Sequence, residues 1–167
     1  MKKKLLLALV VTGMFLLQAC VTAKIASNKQ ADYTKKPKKI FILLNGAKAS
    51  KYFFVEFTRS LQLKLTEKKI ESTMYIRDEL SLDSEGDINK KITEFNPEAL
   101  LVMRQTVSHI TNNYVDGGTF EISLIDGETK KTVWKSVFEI YSQFGLSEAV
   151  DTGVKKLYDK MVEDQIF

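Results

Sequence analysis

The sequence predicts a mixed α/β domain with the element order β-α-β-α-β-β-β-α, and three observations carry that expectation. The run IFILLN, residues 40–45, is continuously apolar and stops at Gly46, as a strand buried on both faces does. Phe54, Phe57, Leu61 and Leu65 recur at helical spacing. The segments GTFEISLID and KTVWKSVFEIY alternate or nearly alternate around the turn sequence DGETK, residues 126–130, which reads as an antiparallel hairpin.

In chain order, the strand at 40–45 is followed by a helix from about Ser50, where the serine can cap and Lys68 and Lys69 complement the carboxyl end. STMYIR, residues 72–77, is a second strand. Ile88, Ile92 and Phe95 mark one face of a short helix that opens at Ser84 and Asp87 and stops at Asn96 and Pro97. Residues 99–110 form a long third strand, the hairpin follows, and a last helix begins near Ser147 with Val150, Val154, Leu157 and Met161 on one side. Helical crossovers make the first three strands parallel, and the tight turn makes the last pair antiparallel, with the helices packed on the sheet. Trp134 should face inward with Phe138 and Ile140 beneath the final helix. Residues 40–167 are long enough to bury one core, and no internal repeat divides them.

The amino terminus is a different kind of sequence. Lys2, Lys3 and Lys4 precede a mostly apolar run over residues 5–19, with small Ala19 directly before Cys20, the only cysteine. The run is short of the roughly 20 apolar residues a spanning helix needs. Its charge, length and small final residue are those of a cleaved export signal over residues 1–19. A lone cysteine cannot close an internal disulfide, so Cys20 needs another purpose. LQAC, residues 17–20, resembles the lipobox of bacterial lipoproteins. That resemblance implies attachment of diacylglycerol to Cys20, cleavage after Ala19 and acylation of the new amino group. With each buried methylene worth about 0.8 kcal/mol, several acyl chains would anchor Cys20 to membrane lipid for good. Val21 is not the aspartate that retains lipoproteins in the inner membrane of enteric bacteria, so the expected location is the outer membrane, facing the periplasm.

Charge sharpens the picture. The formal net charge is +4, but three of the 25 bases lie in the export signal, which leaves 22 against 21 acids. Residues 21–39 hold six lysines and one acid, whereas residues 40–167 are mildly acidic. Residues 20–39 are therefore expected to be a lysine-rich, extended and mobile tether behind the lipid. With its bases gathered there, the domain offers no basic face for nucleic acid.

Candidate chemical motifs resolve into ordinary structure. NGAKAS, residues 45–50, lies where a phosphate loop would sit but lacks the second glycine of G-x-x-x-x-G-K-[ST]. DSEGDINKKITE, residues 83–94, has calcium-loop oxygens at positions 1, 3, 5 and 12, yet Ile88 replaces the required glycine and Lys91 stands at position 9. Its Ser84 and Asp87 suit a helix start better. His109 is the only histidine and reads as a strand-end residue, because a zinc site or a catalytic triad would rest on it alone. No catalytic residue, metal or cofactor is expected.

Residues 38–167 resemble a family of small envelope domains that includes the amino-terminal domain of TolB, the lipoprotein LpoB and the periplasmic part of CsgG. The element order carries the resemblance, together with LIDGETKKTVW, in which an apolar strand enters an acidic turn and returns with a tryptophan at Leu124, Asp126, Val133 and Trp134. The tether is shorter than that of LpoB, and the chain lacks the extra amphipathic hairpins of CsgG, which argues against a pore. The resemblance implies a binding or assembly role in a Gram-negative envelope without catalysis, and it leaves homo-oligomerisation open. TNNYVDGG, residues 111–118, is the candidate partner-binding loop, with Tyr114 as its aromatic and Asn112 and Asn113 as its polar contacts. Two alternatives can be told apart by inspection. An apolar cavity beside Phe120, Trp134 and Phe138 would mark a carrier of lipid or another apolar ligand, and converging acids would mark a periplasmic hydrolase.

Overall fold

The computed structural model describes residues 21–77, 80–111, 114–142 and 145–167. Cys20 and the export signal lie outside these residues, as do Asn112, Asn113 and the side chain of Tyr114. The elements are β1 (Val21–Lys29), β2 (Lys39–Asn45), a 3-10 turn (Lys48–Ser50), α1 (Lys51–Glu67), β3 (Glu71–Arg77), α2 (Glu85–Phe95), β4 (Ala99–Thr111), β5 (Tyr114–Asp126), β6 (Thr132–Ser142) and α3 (Leu146–Glu163). They build one six-stranded mixed sheet in the order β1-β6-β5-β4-β2-β3. β2 lies parallel to both β3 and β4, while β4–β5, β5–β6 and β6–β1 are antiparallel. From β2 onward the elements follow the expected order.

The stretch expected to be a mobile tether is instead folded from Val21. β1 pairs with β6 from Val21 opposite Ser142 to Lys29 opposite Trp134. Val21, Ala23 and Ile25 pack against the core. Ser27 Oγ donates to Asp164 Oδ2 at 2.5 Å, tying the strand to the end of α3. The period-2 signal was present in VTAKIASNK, but its inward residues are mostly small and its composition polar, so alternation was masked by the lysines. The link to β2 is also held: Tyr33 is 7% exposed, and Lys35 reaches Asp126.

One face of the sheet carries the main core. Ile40, Ile42 and Leu44 of β2 meet the apolar side of α1, and α3 covers β5 and β6 with Ala149, Val150, Val154, Leu157 and Met161. Five phenylalanines interlock where α1 meets the sheet. Phe53 stacks on Phe120 at 5.5 Å and on Phe57 at 5.6 Å, while Phe54 meets Phe120 edge-on and Phe138 closes the cluster against Phe57 and Phe120. Trp134 faces inward as expected, 1% exposed, and its indole N–H donates to Asp164 Oδ2 at 2.7 Å. On the opposite face α2 covers only the β2 side of the sheet, where Phe95 meets Phe41 edge-on at 6.0 Å.

The helix starts differ. Ser84 and Asp87 form a full capping box at α2, as their spacing predicts. Ser50 does not cap α1 through its side chain. The preceding 3-10 turn gives Ser50 a helical backbone rather than the extended one that aims a hydroxyl at the next amides, and its Oγ is buried without a partner among the described residues.

Candidate functional site

β4 and β5 outrun their neighbours, and the site begins there. β2 stops at Asn45 opposite Arg104, and β6 reaches β5 only as far as Tyr141 opposite Gly117. The pairs Ile110–Val115 and Thr111–Tyr114 continue past both. They form a two-stranded ribbon projecting from the body of the sheet. Such a ribbon has little stability of its own in water unless something packs on it.

This corrects the expectation that residues 111–118 form a loop. Tyr114 to Gly118 are strand, and the connection shrinks to Asn112 and Asn113. Gly117 and Gly118 suggested a turn, but they serve a close approach of backbones. A Cβ on Gly117 would lie 2.1 Å from the carbonyl oxygen of Ile140, and one on Gly118 would lie 2.3 Å from that of Val107. The β4–β5 register shifts on either side of this crossing, between Gln105 and Val107 and between His109 and Ile110, so the ribbon is bulged and twisted. His109 is a strand residue near the end of β4, with its ring 5.3 Å from that of Tyr141.

The ribbon's surface is unlike the rest of the chain. Val107 is 50% and Ile110 61% exposed. No Lys, Arg, Asp or Glu occurs between Arg104 and Asp116, although 28% of the chain is charged. β1 starts at this same end, since Val21 stands opposite Ser142, one residue beyond the rung of Thr22 and Tyr141. Cys20 is joined to Val21 by one peptide bond, so its Cα lies within about 3.8 Å of that strand's first residue.

The opposite end is polar and paired mostly within itself, although Tyr33 Oη and Asp126 Oδ2 are buried without a hydrogen bond among the described residues. Asp126, 2% exposed, begins the β5–β6 turn, and its Oδ1 accepts from the amide of Thr129 at 2.7 Å and from its hydroxyl at 2.9 Å. Lys35 Nζ lies 3.0 Å from Asp126 Oδ2 and 2.7 Å from Glu128 Oε2. Burial works against ionisation of Asp126, but the Thr129 donors and the Lys35 ammonium outweigh it and bring its carboxyl down to about 2. Lys35 is raised above its usual value by hydrogen bonds to Glu128 and Asp126. Sequence reasoning missed Lys35 and Tyr33, because it assigned both to a solvated tether; the buried aromatic amid lysines was the available signal.

Other acids are similarly engaged. Asp83, a position of the calcium-like stretch, accepts from Tyr75 Oη at 2.7 Å and from Lys91, and Asp87 is used in the capping box. Asp164 accepts from Ser27 and Trp134, and Lys160 pairs with it at 3.1 Å. Among the described residues no group of three His, Cys, Asp or Glu side chains is placed to hold a metal ion. Phe120, Trp134 and Phe138, where a carrier's cavity would be lined, are each no more than 1% exposed and packed into the core. The outer face of β1, β6, β5 and β4 stays open, with exposed Ala26, Val137 at 54% exposure, and an Arg104–Glu121 ion pair of 3.1 Å.

The sequence matches no protein-family model and no curated protein. The fold does match solved structures. It is similar to the PelC dodecamer from Paraburkholderia phytofirmans at a TM-score of 0.54 and 11% identity, over 81% of this chain and 94% of that one. The L103M dodecamer of the same protein gives a TM-score of 0.53 with the same identity and coverage. A neuraminyllactose-binding hemagglutinin homolog from Helicobacter pylori, described as putative, aligns at 10% identity over 82% of this chain and 89% of that one, with a TM-score of only 0.37. At these identities the likeness is one of fold.

Proposed function

We propose that this chain is a non-catalytic lipoprotein, anchored through Cys20 to the periplasmic side of the bacterial outer membrane, with a binding or assembly role in the envelope. One observation carries this reading: the first residue after Cys20 already belongs to β1, which is paired with β6 along nine residues and locked to α3 through Ser27 and Asp164. A lipid on Cys20 therefore holds the domain upright and close to the bilayer, with one end of the sheet toward the membrane and the open sheet face across it. That is useful to a part that must meet its neighbours in a set orientation. It is of less use to a carrier, which gains from reach.

The partner is another envelope protein, further copies of this chain included. The dodecameric state of the similarly folded PelC supports self-association, as does the open face with Ala26 and Val137. Metabolic labelling with a fatty-acid analogue tests the anchor: the wild-type chain takes up label, Cys20→Ser takes up none and remains an uncleaved precursor, and undiminished label on the variant refutes the reading. In-cell crosslinking of the anchored chain, with native mass measurement of what it captures, tests the assembly role.

A further inference from the structure

We propose that the β4–β5 ribbon is a membrane-contacting wedge, which seats Ile110 against the bilayer beside the acylated amino terminus. The inference rests on the reading that Cys20 carries lipid.

The register gives relative heights. Thr22, Tyr141 and Gly117 share one level across β1, β6 and β5. Val21 stands one residue above it, and Val115 with its partner Ile110 stands two above. With a strand rise of about 3.3 Å per residue, Ile110 is about 3 Å higher than Val21, the residue to which Cys20 is bonded, whereas Val107, on the level of Thr119, Glu139 and Lys24, is about 10 Å lower than Val21. The Thr111–Tyr114 rung lies about one further rise beyond. Sideways, β5 and β4 are two and three strand spacings from β1, about 10 and 14 Å. A bilayer that receives the acyl chains of Cys20 therefore meets the ribbon as well, because Ile110 stands at the end of the sheet where β1 begins.

The ribbon's chemistry suits that place. Its exposed Ile110 would waste its apolar area in water, at about 25 cal/mol per Å². Residues 110–115, which lead the projection, carry no charge, so no lysine or carboxylate imposes a desolvation cost ahead of Asp116, which follows Val115 in β5. Interfacial elements bury about 5–10 Å into this zone, which is the scale of the projection. A second copy of the chain could also cover the ribbon, but its place at the end where β1 begins, directly after the residue proposed to carry lipid, favours lipid.

The test uses the full lipidated chain, purified from a Gram-negative host and placed in phosphatidylethanolamine–phosphatidylglycerol vesicles. Once Cys20 is in thioether linkage no free thiol remains, so Ile110→Cys can be labelled with an environment-sensitive fluorophore, with Val107→Cys as a depth marker lower on the same strand. Glu128→Cys, 81% exposed in the turn at the other end, is the control. Spin-labelled lipids near the headgroup should quench the probe at 110 several-fold more than the probe at 128, with the probe at 107 between them. Equal, weak quenching at all three sites, in protein that still floats with the vesicles, overturns the wedge and spares the anchor. Protein that does not float and takes up no acyl label overturns the anchor and the wedge with it. A blue-shifted probe at 110 that lipid does not quench assigns the ribbon to a subunit interface and also refutes the wedge.

Discussion

At one end of the sheet Asp126 turns the β5–β6 connection with hydrogen bonds from Thr129 and an ion pair to Lys35, whereas at the other the β4–β5 ribbon is shaped by Gly117 and Gly118 and carries Val107 and Ile110 in the open. The turn end spends its polar groups on itself. Its buried carboxylate is ionised, with Oδ1 hydrogen-bonded to Thr129 and Oδ2 facing the Lys35 ammonium. The ribbon end has the reverse balance, with backbone geometry satisfied by small residues and apolar surface left unmatched. The difference teaches where to look for contact: surface that folding has not consumed is the surface available for a partner.

Substitutions at graded distance from these two ends sharpen the contrast. The largest effect belongs to the core that both ends share. Trp134→Ala removes a fully buried ring and one of the hydrogen bonds to Asp164, and it should cost about 3–5 kcal/mol in urea melts of the soluble domain; a loss under about 1 kcal/mol would mean that the ring is not packed. Next comes the ribbon's backbone. Gly117→Ala forces a methyl against the Ile140 carbonyl and should cost about 1–3 kcal/mol, with faster amide exchange confined to β4 and β5.

At the turn end Asp126→Asn should cost about 1–2 kcal/mol near neutral pH, through loss of charge-assisted bonds. Its pH dependence is signed. The carboxyl is lower in the folded protein, about 2 against 3.8, so its contribution is complete above about pH 4 and disappears as pH falls through about 2. Wild type and variant should therefore differ in melts at pH 6 and converge near pH 2; a gap that persisted at pH 2 would assign the cost to packing instead. The smallest effect on stability belongs to the ribbon's surface. Ile110→Ser should change stability by no more than about 0.5 kcal/mol, yet weaken vesicle seating as read by quenching at Val107→Cys. A large loss of stability there would show that Ile110 serves the fold.

Legibility in the sequence followed how local each signal was. The capping box at Ser84 and Asp87, the DGETK turn and the apolar stripe of α3 involve residues within four positions of one another, so spacing alone revealed them. β1 was missed because a strand of small and charged residues gains its stability from β6, more than a hundred residues away. Residues 111–118 were misread for a related reason. Gly117 and Gly118 have the composition of a turn, but what selects them is the backbone of Ile140 and Val107, which no local pattern displays.

By itself the sequence determined the order and type of every element from β2 to α3, the inward side of each helix and the candidate acyl site at Cys20, because hydrophobic period, capping chemistry and signal-segment composition are properties of contiguous residues. Only the tertiary structure decided that the supposed tether is a sheet edge, that Lys35 and Asp126 neutralise each other, and that the β4–β5 ribbon projects at the end of the sheet where β1 begins. Those are matters of which distant segments stand level with one another, and strand register, which sets that level, is settled by packing across the whole sheet.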